Sequence, residues 1–109
     1  MRLQYFLKTG DRGRSIRYAL LAPDGTAIDL TGATVRFLMR SRSTGVTVVA
    51  AVATVVAAPS GIVQYDWQIA DVGSEDIFNG EFEVTYSDGR KETFPNFDYI
   101  EIIIKGDLG

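Results

Sequence analysis

Apolar and polar residues alternate with a period of two through most of this chain. Leu3, Tyr5 and Leu7 alternate in "RLQYFLK", and Ile16, Tyr18 and Leu20 in "SIRYALL". Val35, Phe37 and Met39 do so in "ATVRFLMR", and Val63, Tyr65, Trp67 and Ile69 in "GIVQYDWQI". Phe82, Val84 and Tyr86 alternate with Glu81, Glu83 and Thr85, and Ile100, Ile102 and Ile104 with Glu101, Ile103 and Lys105. Each set predicts a strand with one face for a core and one for water. No window shows a sustained 3.6-residue apolar period.

The segment "VTVVAAVATVVAA", Val46 to Ala58, has five alanines but eight Val or Thr residues among its thirteen. β-branched side chains lose freedom in a helix and pack well on a pleated surface. It predicts a strand with a bulge or bend, as one strand or two. Turn signals stand at Gly10-Asp11, Asp24-Gly25, Thr31-Gly32, Ser60-Gly61, Asn79-Gly80 and Asp88-Gly89. "EFEVTYSDGRKETFP", Glu81 to Pro95, spells a hairpin that turns on Asp88-Gly89 and ends at a proline unable to donate to a ladder. Its residues Phe82, Val84, Tyr86 and Phe94 are expected to face the core, and Glu83, Thr85, Lys91 and Thr93 to face water. "DVGSEDIFNG", Asp71 to Gly80, reads as a connection with at most one helical turn. Seven or eight short strands with frequent turns predict an all-β antiparallel sandwich, one domain over residues 1–109.

Composition narrows the chemistry. The chain has no His and no Cys, which removes the commonest general base, thiolate chemistry, disulfides and a Ser-His triad. No metal or cofactor site is expected. "GDRGRS" lacks the phosphate-loop pattern and a following helix, and "DVGSED" lacks calcium-loop spacing. Asp66, Glu81, Glu83 and Glu101 are expected to face water rather than to share a pocket, which argues against carboxylate catalysis. Trp67 and Tyr65 are expected in the core. No apolar run is long enough to span a bilayer, and no signal peptide is evident.

Charge is unevenly spread. Met1 to Gly45 holds eight Lys or Arg and three Asp, while Val46 to Gly109 holds three Lys or Arg and eleven Asp or Glu. The basic residues are scattered and the acidic half would repel phosphates, so no nucleic-acid partner is expected. A basic side that docks on an acidic side, of a second copy or of another protein, fits the asymmetry. Arg12, Arg14 and Arg17 are its candidate residues. The apolar terminal segments "MRLQYFL" and "EIIIKGDLG" are either edge strands open to pairing or central strands buried on two sides.

Three segments together, "DGTAIDLTGATVRFLM", "GIVQYDW" and "NGEFEVTYSDGRKETFP", followed by a hydrophobic last strand, resemble the N-terminal domain of phage baseplate upper proteins. The resemblance runs from about Leu3 to about Ile104. It implies an immunoglobulin-like sandwich and a structural duty in a virion assembled in the host bacterial cytoplasm. It implies no catalytic residues. In that family the domain precedes receptor-binding parts, for which a chain ending at Gly109 has no room, so docking on neighbouring virion proteins of the tail or baseplate is the expected role. Decoration of the capsid is the alternative. An adhesion module binding carbohydrate or a host surface is the other, and for it the aromatics to examine are Phe78, Phe97 and Tyr99.

Overall fold

The computed structural model describes residues 3–106. The outermost positions of the two terminal segments, residues 1–2 and 107–109, lie outside the described residues. Eight strands run in the order β1 (Gln4–Lys8), β2 (Ile16–Ala19), β3 (Thr34–Ser41), β4 (Thr47–Ala57), β5 (Ile62–Tyr65), β6 (Asp76–Thr85), β7 (Lys91–Phe94) and β8 (Ile100–Lys105). Single 3-10 turns at Ala58–Ser60 and Ile69–Val72 link β4 to β5 and β5 to β6.

The larger layer runs β1-β8-β6-β3-β4, with β7 paired to β6. The smaller layer is β4-β5-β2. With β2 and β5 in one layer and β3, β6 and β8 in the other, the chain is an immunoglobulin-like β-sandwich. One pair departs from the expected all-antiparallel arrangement: β1 runs parallel to β8, with Tyr5 beside Ile102 and Leu7 beside Ile104. A parallel pair needs a long crossover, and here nearly the whole chain lies between the two strands.

β4 belongs to both layers, and the long Val-rich segment is one strand. Its first half pairs with β3, from Val35 opposite Ala53 to Arg40 opposite Thr47. Its second half pairs with β5, from Thr54 opposite Gln64 to Ala57 opposite Ile62. Both ladders shift register, leaving Val48 and Val56 as extra residues. Such bulges bend a strand and increase its twist, which lets β4 turn from one sheet into the other.

The core is read directly from the alternation. Val35, Phe37 and Met39 of β3 face Val84, Phe82 and Gly80 of β6, and all are buried. Phe37 stacks on Tyr65 at 4.9 Å between ring centroids, lies 5.0 Å from Phe82 and meets Trp67 edge-on at 5.8 Å. The Glu81–Pro95 hairpin forms as expected, with Phe82 opposite Phe94 and Gly89 at φ +91° in the turn. Phe82, Val84 and Phe94 are buried and Lys91 is exposed, while Tyr86, Glu83, Thr85 and Thr93 are half-buried.

Two expectations fail in one place. The connection expected over Asp71–Gly80 is half strand, because β6 begins at Asp76. Asn79-Gly80 is no turn. Gly80 faces inward, where a Cβ would stand 2.7 Å from Ile102 Cδ1 and 3.2 Å from Phe37 Cζ. Glycine is there for close packing, and a residue without a side chain hides the alternation that surrounds it.

Gly80→Ala should therefore destabilise the fold by about 1–3 kcal/mol in denaturant unfolding, because fully buried Ile102 and Phe37 have no room to yield. Ile102→Val, which removes the nearest atom, should make the double variant less destabilised than the sum of the two singles. Strict additivity would show that the contact does not limit this position.

Candidate functional site

The sequence candidates do not converge. Arg12 and Arg14 are exposed in the loop between β1 and β2, and neither has a hydrogen-bond or ion-pair partner among the described residues. Arg17 is held elsewhere, on the exposed face of β2. Its Nε and Nη2 donate to Gln64 Oε1 at 3.1 and 2.7 Å. Gln64 in turn donates to Asp66 Oδ1 at 2.9 Å, and the Ser15 hydroxyl donates to the same oxygen. These two donors, Ser15 first, hold the Asp66 carboxyl below its ordinary value. Arg17 thus belongs to a surface network, separate from the two unpaired loop arginines.

Phe78 is corrected from a candidate surface aromatic to a core residue. It lies within β6, opposite Ile102 of β8, and is 4% exposed. Phe97 is 91% exposed and Tyr99 44% exposed, both on the link between β7 and β8. That link exists because β7 and β8 share one edge of β6. β7 pairs with Phe82–Thr85 and β8 with Asp76–Gly80, so the chain must step outward and return. Asp98, at φ +68°, makes the step, and its carboxylate accepts from the Tyr99 backbone N–H at 2.9 Å.

The two aromatics border different hollows. Phe97, with Tyr18, Leu21, Pro23 and Pro95, lines an apolar depression of about 260 Å³. Tyr99 flanks a depression of about 300 Å³ on the outer face of β3 and β6, with Leu38, Arg40, Thr47, Asn79 and Glu81. In the second, burial raises the Glu81 carboxyl above its ordinary value, Arg40 opposes the rise and Glu83 adds to it.

The other carboxylates are tied into the scaffold. Asp71 Oδ2 accepts from the Tyr65 hydroxyl at 2.6 Å and from the Gln68 N–H at 2.8 Å, closing the 3-10 turn. Burial, then this carboxylate, push the Tyr65 phenol well above its usual range. Asp76 Oδ2 accepts from the Ser41 and Ser43 hydroxyls at 2.6 and 3.0 Å. Glu75 Oε1 accepts from the Gly106 N–H at 2.8 Å. Glu101, expected to face water, is 8% exposed, because Arg42 covers it in a 2.7 Å ion pair and Gln4 donates to it at 2.6 Å. Asp66 lies just past β5, and Glu81 and Glu83 are half-buried. Among the described residues no three His, Cys, Asp or Glu gather where they could hold a metal ion. Among them also no helix is long and apolar enough to cross a membrane. Trp67 and Tyr65 are in the core as expected, although the Trp67 indole N–H has no acceptor there.

Sequence reasoning offered an edge at the terminal segments as one alternative and missed the edge on β4. β1 ends the larger layer on one side, and residues 47–53 of β4 end it on the other. The terminal segments thus divide: β1 is an edge strand, while β8 is central, between β1 and β6. Phe6 on β1 is 66% exposed and Val52 on β4 is 80% exposed, with Val46 and Val48 also exposed. From Val46 to Pro59 no residue is charged. Edge strands usually carry charges or prolines that discourage pairing, and this one carries neither before Pro59. The uncharged run was visible in the sequence, but its place at an edge was not.

No protein-family model matches the chain, and no curated protein matches it. Among solved structures, CopC from Methylosinus trichosporium OB3b superposes with a TM-score of 0.57 at 12% identity. The match covers 98% of this chain and 88% of that one. At that identity the likeness shows a shared β-sandwich fold and nothing about a shared site.

Glu81 has a raised folded-state value, so the folded chain binds its proton more tightly than the unfolded chain does. Its contribution to stability is full below the ordinary value of 4.5 and is lost as pH rises through the raised one. Glu81→Gln should therefore raise the denaturant midpoint at pH 7, and the gain should shrink toward zero near pH 4. A gain that is the same at both pH values would mean that the Glu81 charge does not burden the fold.

Proposed function

We propose that this chain is a non-enzymatic structural protein of a phage virion, a small subunit of the tail or baseplate that docks on neighbouring virion proteins. The observation that carries docking is the exposed apolar surface gathered at uncovered sheet edges and on the β7–β8 link. Phe6, Val46, Val48, Val52, Phe97 and Tyr99 are all exposed, and Val46, Val48 and Val52 follow one another along an unpaired, uncharged edge, the kind of edge that invites pairing with another chain. The β-sandwich is the architecture that the resemblance to baseplate upper proteins implies. The phage assignment itself rests on that resemblance.

A second reading has one observation in its favour. Phe97 projects almost fully into solvent beside an apolar hollow, an arrangement suited to stacking on a sugar ring. The carbohydrate-binding or adhesion alternative therefore stands on Phe97 and Tyr99, without Phe78.

The deciding measurement is cryo-electron microscopy of particles that carry the chain. Density for the sandwich in a ring at the tail tip or along the tail supports the proposal. Density on the head makes it a capsid decoration protein, and absence from the particle removes the virion role. Phe97→Ala and Tyr99→Ala should change stability by less than about 0.5 kcal/mol, since both side chains are exposed. Under the docking reading they lower incorporation into particles. If they leave incorporation unchanged but abolish binding to host-surface glycans on an array, the adhesion reading replaces it.

A further inference from the structure

We propose that the hollow on the outer face of β3 and β6 binds a neutral pyranose sugar, stacked on Tyr99 and oriented by Glu81 and Arg40. This deepens the adhesion reading and rests on it for the source of the sugar.

The hollow forms where β7 and β8 part. β7 pairs with residues 82–85 of β6 and β8 with residues 76–80, so Glu81 belongs to neither ladder. The link between the two strands steps outward and returns, and Tyr99 forms a wall of the hollow. On its other side β6 pairs with β3, with Leu38 opposite Glu81 and Arg40 opposite Asn79. Thr47 of β4 stands opposite Arg40. Gly80 and Phe82 are buried in the core row, so Asn79 and Glu81 lie on the outer face with Leu38 and Arg40. The volume of about 300 Å³ is at the small end of ligand pockets, about 300–1,000 Å³.

The polar groups here lack partners within the protein. Every other Asp or Glu among the described residues has a hydrogen-bond donor or an ion-pair cation. Glu81 is half-buried and has neither. A carboxylate shielded from water without donors burdens the fold, and ligand donors would relieve it. Arg40 is exposed and makes no hydrogen bond or ion pair among the described residues. Asn79 Oδ1 accepts from Arg42 Nε and Nη2 at 3.2 and 2.9 Å. Its Nδ2 donor, with the Thr47 and Tyr99 hydroxyls, has no partner among the described residues.

The pairing of charges selects the ligand. An ammonium drawn to Glu81 would meet Arg40, and a phosphate drawn to Arg40 would meet Glu81. A neutral ligand rich in donors and acceptors escapes both conflicts. Sugar hydroxyls donate to a carboxylate and accept from a guanidinium or an amide. The C–H face of a pyranose ring suits the Tyr99 ring, and half-buried Leu38 adds an apolar patch. The hollow beside Phe97 has no charged side chain to orient such hydroxyls.

The test is an amide NMR titration of the isotopically labelled chain with the methyl glycosides of glucose, galactose, mannose and N-acetylglucosamine. At least one should saturably shift the amides of Leu38, Arg40, Asn79, Glu81 and Tyr99. The dissociation constant should be on the order of 1 mM, in keeping with a small ligand. Tyr99→Ala and Glu81→Gln should each weaken binding about tenfold. Glu81→Gln should also gain stability at pH 7, so its loss of binding cannot come from unfolding. Phe97→Ala should bind as the unaltered chain does. No saturable shift with any of the four sugars overturns the proposal. So do unchanged affinities in the Tyr99 and Glu81 variants, or tighter binding of tetramethylammonium or inorganic phosphate at the same amides. Shifts confined to Tyr18, Leu21 and Phe97 would sink this site and leave the adhesion reading standing on the other hollow. Sugar binding here with no host-surface glycan bound on an array would support the site and sink the adhesion reading. Neither result touches docking, which incorporation into particles decides.

Discussion

Phe37 sits where both layers must close on one another. Its ring contacts Tyr65 and Trp67 from the smaller layer's strand and its extension, and Phe82 from the neighbouring strand of its own layer. Aromatic pairs at these distances and tilts contribute beyond the area that they bury. The ring also closes over position 80 of β6, where a Cβ would stand 3.2 Å from its Cζ and 2.7 Å from Ile102 Cδ1. Gly80 shares the inward row of β6 with Phe78 and Phe82, and β7 and β8 divide the edge of β6 away from β3, leaving the link that presents Phe97 and Tyr99.

The same core leaves the ends of the larger layer uncovered. The smaller layer is three strands wide, and β5 pairs only with the second half of β4. The first half of β4 is therefore an edge through geometry, while its side chains are those of an interior strand. An isolated monomer with that edge exposes a template for pairing. The exposed valines and the half-buried Glu81 are of the kind that a stability-optimised surface would replace. The carboxylates on the acidic side, by contrast, serve the scaffold by closing turns and accepting hydroxyls.

Much of the fold was legible because a strand's period of two is a local property. The inward faces of β3, β5, β6 and β8, the Asp88-Gly89 hairpin and the burial of Trp67 and Tyr65 all follow from neighbouring residues alone. Local reading failed where a residue answers to something distant. Gly80 resembles a turn residue until Ile102 and Phe37 are placed over it. Glu101 sits at a solvent-facing position in its strand, yet Arg42 and Gln4, far away in sequence, cover it. Phe78 was assigned to a connection because the glycine after it masked the strand. For the uncovered edge on β4, the sequence showed the uncharged valine run but not its place on the sheet.

By itself, then, the sequence determined that this protein is a β-sandwich, which side chains face inward along most strands, and that it has no histidine or cysteine chemistry. Those are matters of periodicity and residue type. Only the tertiary structure decided which strands are edges, that β1 runs parallel to β8, and that β4 passes from one layer into the other. Those depend on pairings between segments tens of residues apart, whose energies come from contacts that no local window contains.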